Sequence, residues 1–313
     1  MESDRKEHLP ILLTGTWEKR DRSPVTAAVI VLLVGGWLYF VVQTLFTVVG
    51  ILIQLLFTDT ALSSLDGDLI GANSLQTFKG VFLLAIALSQ YVVLLGIPIL
   101  IIRKWHTPLV HSYVRFQVSK PIKTTYEILF AMVGTILIMP LTSYFEYFFG
   151  RYLDDLPDSI FEDQMQLFIA GNGGELFLII FVVAFTPAIC EEFFFRGYLQ
   201  RTLERKVGWW SVLIVALVFG LFHFNPFGLL TLSVIGGFIG YLYYRSRSLI
   251  PGMVAHFTNN FIVIILLNYQ PVLAGENLLH MAYAPLAWTV VSFVLFVLLL
   301  LGYEQYILPR YHD

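Results

Sequence analysis

Charge is what this chain has least of. Asp, Glu, Lys and Arg make up 13% of its 313 residues, against about 25% in a soluble domain. That leaves too little polar surface to cover a water-soluble globule of this size. With 57% hydrophobic residues and a mean hydropathy of +0.75, the chain reads as a multi-spanning membrane protein. Its one cysteine, Cys190, excludes an intramolecular disulfide and with it a disulfide scaffold. A net charge of −3 supplies no basic field, so no nucleic-acid partner is expected. The zinc-protease pattern H-E-x-x-H is absent, and no internal repeat suggests an inverted-repeat transporter.

What is abundant is long apolar sequence without period-2 alternation, which selects helices over a barrel. Such runs occupy residues 25–57, 81–102, 124–149, 176–199, 209–224, 228–244, 249–267 and 285–302. The first is longer than a signal-peptide core and has no convincing small-residue cleavage site, so it predicts a long, tilted span. The expected fold is therefore all-α: a polytopic membrane helical bundle of about eight transmembrane helices. With both termini cytoplasmic, seventeen of the nineteen Lys and Arg residues fall on the inner side, as the positive-inside rule requires. The outer loops are acidic instead, with Asp59, Asp66 and Asp68 in one and a cluster over 154–163 in the next. The basic, aromatic stretch around residues 103–123 has two readings, an amphipathic segment on the inner leaflet or a plain cytoplasmic loop. Gly236 and Gly240 form a G-x-x-x-G spacing, which predicts close helix packing.

Ionisable groups inside a span are costly and by default mark function. The first three spans offer only Gln43, Gln54, Gln90, Glu127 and Glu146. The second half is richer: Glu191-Glu192-x-x-x-Arg196 on the fourth run, Phe219-x-x-x-His223 on the fifth, and His256-x-x-x-Asn260 on the seventh. Residues four apart share a helix face. Glu192 and Arg196 are thus expected to pair, leaving Glu191, about 100° away, as the freer carboxylate. Phe219 is expected to wall the pocket that His223 enters, and His256 and Asn260 to point at one target. A carboxylate beside an imidazole forms a general-base unit, and an imidazole beside an amide can donate to a developing oxyanion. The set suits amide-bond hydrolysis. Read singly, each residue has a structural alternative: ion pair, carbonyl partner or helix–helix contact.

At these residues the sequence resembles the CPBP (CAAX protease and bacteriocin-processing) or Abi family of intramembrane proteases, which includes the type II CAAX prenyl endopeptidases. The three motifs match in order over roughly residues 175–265. The resemblance implies an intramembrane endopeptidase acting on a membrane-associated protein or peptide within the lipid bilayer. Glu191 would activate water with His223 assisting, and His256 and Asn260 would stabilise the oxyanion. Glu192, Arg196 and Phe219 would shape the site or contact substrate. The apolar runs and the motifs together divide the chain into a cytoplasmic segment 1–22, three N-terminal transmembrane helices with loops in 23–150, and catalytic core helices plus a last helix in 151–313, with the motifs in 188–262. No cofactor is favoured; zinc held by Glu191, His223 and His256 is the alternative. A non-catalytic scaffold or bacteriocin self-immunity factor of the same fold is the competing function, and a bacterial plasma membrane the expected location. One tension remains. Counted along the runs, His223 falls near the outer end of its span and His256 in the inner half of its own. The Asn225-Pro226 step suggests that the fifth helix stops inside the bundle.

Overall fold

The computed structural model describes residues 12–58, 72–118, 121–150, 165–226, 228–274 and 285–307. The acidic residues expected in the outer loops (Asp59, Asp66, Asp68 and the 154–163 cluster) and the charges Arg5, Lys6, Lys120, Arg151 and Arg310 lie outside these residues. All regular structure among the described residues is helical. Each apolar run becomes a helix: α1 Pro24–Phe57, α2 Lys79–His106, α3 Pro121–Gly150, α4 Gly173–Val207, α5 Trp210–Phe222, α6 Leu229–Ser246, α7 Ile250–Ala274 and α8 Leu286–Gly302.

The chain is an integral, multi-pass membrane bundle, with six helices long and apolar enough to cross a membrane among the described residues. Helices α5 and α6 are not among the six. The thirteen residues of α5 rise only about 20 Å, short of a hydrocarbon core of about 30 Å. The two form a tight hairpin. A Cβ on Gly220 would stand 2.7 Å from the Leu229 carbonyl oxygen, so only glycine lets the arms close this far. A hairpin that enters and leaves on one side does not change the side on which later helices emerge. The bias of Lys and Arg is therefore the same for six crossings as for eight.

Burial on α1 follows one stripe, Ala27, Ala28, Val31, Gly35 and Gly36, while Leu33, Val34, Trp37 and Phe40 face outward. Small residues on the stripe admit the ring of Phe194, 3.1 Å from where a Gly35 Cβ would be. This is how lipid-embedded helices pack without a hydrophobic driving force.

Part of the stretch after α2 is packed into the bundle. Tyr113 and Val114 are fully buried between α4 and α6. The Tyr113 hydroxyl meets Thr202 Oγ1 at 2.9 Å, and Arg115 grips Glu204 with two bonds of 2.8 Å. The Arg115 carbonyl accepts from Leu249 N at 3.0 Å. The segment is a wedge between the C-terminal part of α4 and the N-terminal end of α7. The residues before α1 are also docked. Gly15, Thr16 and Trp17 donate backbone bonds to His106, Lys104 and Trp105, and Glu18 takes two bonds from Arg205 at 2.7 and 2.8 Å.

Candidate active site

Helix α4 carries the carboxylates, and its local geometry is irregular around them. Residues Phe181–Phe185 and Phe193–Gln200 are π-helical turns flanking the regular stretch Thr186–Glu192. Such turns occur often at functional sites because they widen the helix and turn side chains off the regular face. Glu192 and Arg196 are both 0% exposed and pair at 2.6 Å. Arg196 also donates to the Gly236 carbonyl at 2.9 Å and lies over the Phe219 ring at 4.7 Å. Glu192 Oε1 accepts a second bond, from His256 Nδ1, at 2.7 Å. One buried ion pair thus ties α4 to α5, α6 and α7.

Glu191 is outside that network. Its Oε2 is buried, with no hydrogen-bond partner. It stands 4.0 Å from His223 Nε2 and 4.0 Å from His256 Nε2. The partners of the other ring nitrogens fix the tautomers. His223 Nδ1 lies 2.8 Å from the Phe219 carbonyl, which can only accept, so Nδ1 carries the hydrogen. His256 Nδ1 donates likewise to Glu192. With Nδ1 engaged in each ring, both turn Nε2 toward Glu191. Phe219 closes one wall, edge-on to both rings at 4.7 and 5.7 Å.

The three elements meet because α5 stops early. The helix ends at Phe222, and Phe224 turns the chain in a left-handed conformation (φ 50°). Asn225 Oδ1 then accepts from Gly228 N at 3.1 Å and leads into α6. His223 is thus held at the hairpin tip, at the level of Glu191, with its side chain 31% exposed against 12% for Glu191 and 5% for His256. The three side chains thus meet, and His223 is the most exposed of them.

Asn260 does not address the same point as His256. Its Nδ2 donates to the Val183 carbonyl at 2.8 Å, and its Oδ1 accepts from Asn259 Nδ2 at 3.0 Å. The two residues share a face of α7, but they meet α4 at Val183 and at Glu192, nine residues apart. Periodicity settled the face and could not say which group on the neighbouring helix each would reach.

Gly236 and Gly240 do lie at close contacts: a Cβ would stand 3.1 Å from Phe219 Cδ1 at the first and 2.9 Å from Gln200 Oε1 at the second. Their carbonyls accept from Arg196 and Gln200. The spacing therefore brings α6 near enough to hold the arginine of the ion pair. Two side chains from the first spans also approach. The Tyr39 hydroxyl interacts with Ser89 and Gln90. Gln90 is only 4% exposed, and its Oε1 has no partner. Gln90 was visible in the sequence as a polar residue in a span; Tyr39 in its apolar run had no distinguishing signal.

A buried glutamate facing two imidazoles inside a helical bundle is an arrangement that can carry out acid–base chemistry. Residues 173–262 match the family described as type II CAAX prenyl endopeptidase Rce1-like, which agrees with the resemblance carried by the three motifs. The matched stretch begins at the first residue of α4 and ends in α7, two residues past Asn260. It therefore contains every residue of the ion pair and of the Glu191 cluster. It supports an intramembrane CAAX-type protease as the general class. No curated protein and no solved structure matches the chain.

Proposed function

We propose that the protein is an intramembrane endopeptidase that hydrolyses a peptide bond of a membrane-associated protein or peptide, with Glu191 activating the water. The observation that carries this reading is the convergence of Glu191 Oε2 and the two Nε2 atoms, with the carboxylate 4.0 Å from each ring. That gap is too wide for a direct bond and suits a bridging water. An oxygen about 2.8 Å from two atoms 4.0 Å apart subtends about 90°, close to the angle between the hydrogens of water. Such a water gives one proton to Glu191 and its second hydrogen bond to an imidazole, and its lone pair attacks the scissile carbonyl. Glu191 then returns the proton to the leaving amine.

The oxyanion needs a donor. His256 supplies one when protonated, because its Nδ1–H stays on Glu192 while Nε2–H faces the reacting centre. Glu192 and Arg196 are already balanced, so an imidazolium beside ionised Glu191 leaves the buried site neutral. Asn260, assigned beside His256 by the motif, gives one of its two Nδ2 hydrogens to the Val183 carbonyl.

Zinc is the second reading, and a specific feature favours it. Each His offers Nε2 while its Nδ1–H rests on a carboxylate or carbonyl, as in metal-bound histidines. The spacing argues the other way. Ligands about 2.0–2.1 Å from a tetrahedral zinc lie about 3.3 Å apart, whereas these carboxylate–imidazole pairs are at 4.0 Å. Among the described residues no three His, Cys, Asp or Glu side chains are grouped to hold one ion. We therefore keep metal-free catalysis as the proposal.

The test is cleavage of a library of membrane peptides, including prenylated C-terminal peptides, by the full chain in detergent or liposomes. Wild type is expected to cleave, and Glu191→Gln and His223→Ala to be inactive with unchanged unfolding midpoints. Retention of biological activity by both variants would instead make the protein a scaffold or immunity factor.

A further inference from the structure

Away from the Glu191 cluster, the C-terminal part of α4 gathers more positive charge than it can balance. Three arginines from three segments converge on one carboxylate, Glu204. Arg115 gives Glu204 two hydrogen bonds of 2.8 Å, one to each oxygen, and this fork alone neutralises it. Arg247 donates to Oε1 of the same carboxylate. Arg201 Nη1 stands 3.8 Å from that Oε1, beyond hydrogen-bond distance, and its buried Nε has no partner. Among the described residues no other carboxylate pairs with these three arginines. Their neighbours have carboxylates of their own, Arg205 with Glu18 and Arg245 with Glu304. Three guanidinium groups on one carboxylate leave a surplus of about two positive charges.

We propose that Arg201 and Arg247 form a binding site for a phosphate group, that of an anionic lipid headgroup at the membrane surface. Both approach the same oxygen of Glu204, so their unspent N–H donors lie side by side, as bidentate recognition of a phosphate requires. The Arg247 side chain is 44% exposed, which leaves the cluster open from outside the bundle. Its level in the membrane is marked by aromatic residues. Arg247 lies over the Tyr244 ring at 4.9 Å, and Trp209 meets that ring edge-on at 6.0 Å. Trp209 is itself partly exposed, and exposed tryptophan and tyrosine belong at the headgroup layer. Ends of a bundle that carry most of the Lys and Arg residues face the leaflet richest in anionic lipid. The same donors fit a free phosphate, and the experiment separates the two sources. The site is independent of the protease reading.

The test is lipid titration of the full chain in detergent, read by native mass spectrometry, with phosphatidylglycerol and phosphatidylcholine of the same acyl chains. Wild type is expected to bind phosphatidylglycerol at least about tenfold more tightly. Arg201→Gln combined with Arg247→Gln should bring the two lipids to within roughly twofold, while Arg115 still neutralises Glu204 and the unfolding midpoint without lipid is kept. Arg247→Lys should lose most of the preference as well, because the charge stays and the fork goes. Lys104→Gln, which removes an exposed charge beside the docked strap, should leave the preference intact. Displacement of phosphatidylglycerol by millimolar inorganic phosphate from wild type, and not from the double variant, supports the site and assigns it to a soluble phosphate. Equal preference in wild type and the double variant overturns the proposal. So does a loss on Lys104→Gln as large as on Arg247→Lys, which is the mark of a diffuse field. Absence of both lipid preference and phosphate binding in wild type overturns it too. If the double variant does not fold, the surface change Arg247→Lys decides, and an undiminished preference there overturns the site.

Discussion

Replacing Arg196 with methionine tests how much the central ion pair holds. The guanidinium is fully buried, bonded to Glu192 at 2.6 Å and to the Gly236 carbonyl at 2.9 Å, and stacked over Phe219 at 4.7 Å. Methionine fills similar volume but leaves the Glu192 carboxylate without its counter-charge and the Gly236 carbonyl without that donor. Removing one partner of a buried pair costs about 3–5 kcal/mol, a large part of a total stability of about 5–15 kcal/mol. For a chain of this length that corresponds to a drop of roughly 10 °C in unfolding midpoint. Neutralising both partners as Arg196→Met with Glu192→Gln should regain more than half of the loss, because glutamine still accepts from His256 and no charge is stranded. Tryptophan fluorescence in detergent follows the midpoint. A shift within about 2 °C for Arg196→Met alone would refute the reasoning, since the pair would then be worth no more than an exposed one at about 0–1 kcal/mol.

Three other outcomes follow from separate parts of the fold. Burial pushes the Glu18 carboxyl up, but hydrogen bonds from Arg205 and His106 outweigh it, so it titrates below the usual carboxylate value of 4.5. A depressed folded value means that its stabilisation is present above the unfolded value and is lost as pH falls through the folded one. The midpoint gap between wild type and Glu18→Gln should therefore be widest near neutral pH and close in acid. Gly15→Ala should detach the N-terminal strap, because its Cβ would fall on the Trp105 carbonyl; faster amide exchange at Gly15, Thr16 and Trp17 with little change at Glu191 is the expected result. Gly220→Ala should force the α5–α6 hairpin apart against the Leu229 carbonyl. It should reduce cleavage at least tenfold by displacing His223, and an unchanged rate would show that the hairpin does not set the site.

The parts of this molecule that were legible in sequence are those governed by spacing along one helix. Glu192 and Arg196 four apart do pair, and Phe219 four before His223 does form its wall. The eight apolar runs are eight helices. What the periodicity could not supply is the partner across a helix interface. That Asn260 would reach the Val183 carbonyl depends on how α7 sits against α4, which the apolar pattern does not record. The burial of Tyr113 and Val114 was hidden for a similar reason: Arg115 and its neighbours look like a solvated basic loop until Glu204 on α4 is placed opposite. The shortness of α5 was signalled by Asn225-Pro226, but its effect on the level of His223 required the hairpin.

The most direct test of the central claim is the single-turnover rate of peptide cleavage after exhaustive removal of divalent metal, measured side by side for wild type and Glu191→Gln. A water held by Glu191, His223 and His256 predicts that the stripped wild type keeps its rate and that Glu191→Gln loses about 10²–10⁴-fold. A rate that vanishes on stripping and returns with zinc, or one that survives Glu191→Gln, would contradict it.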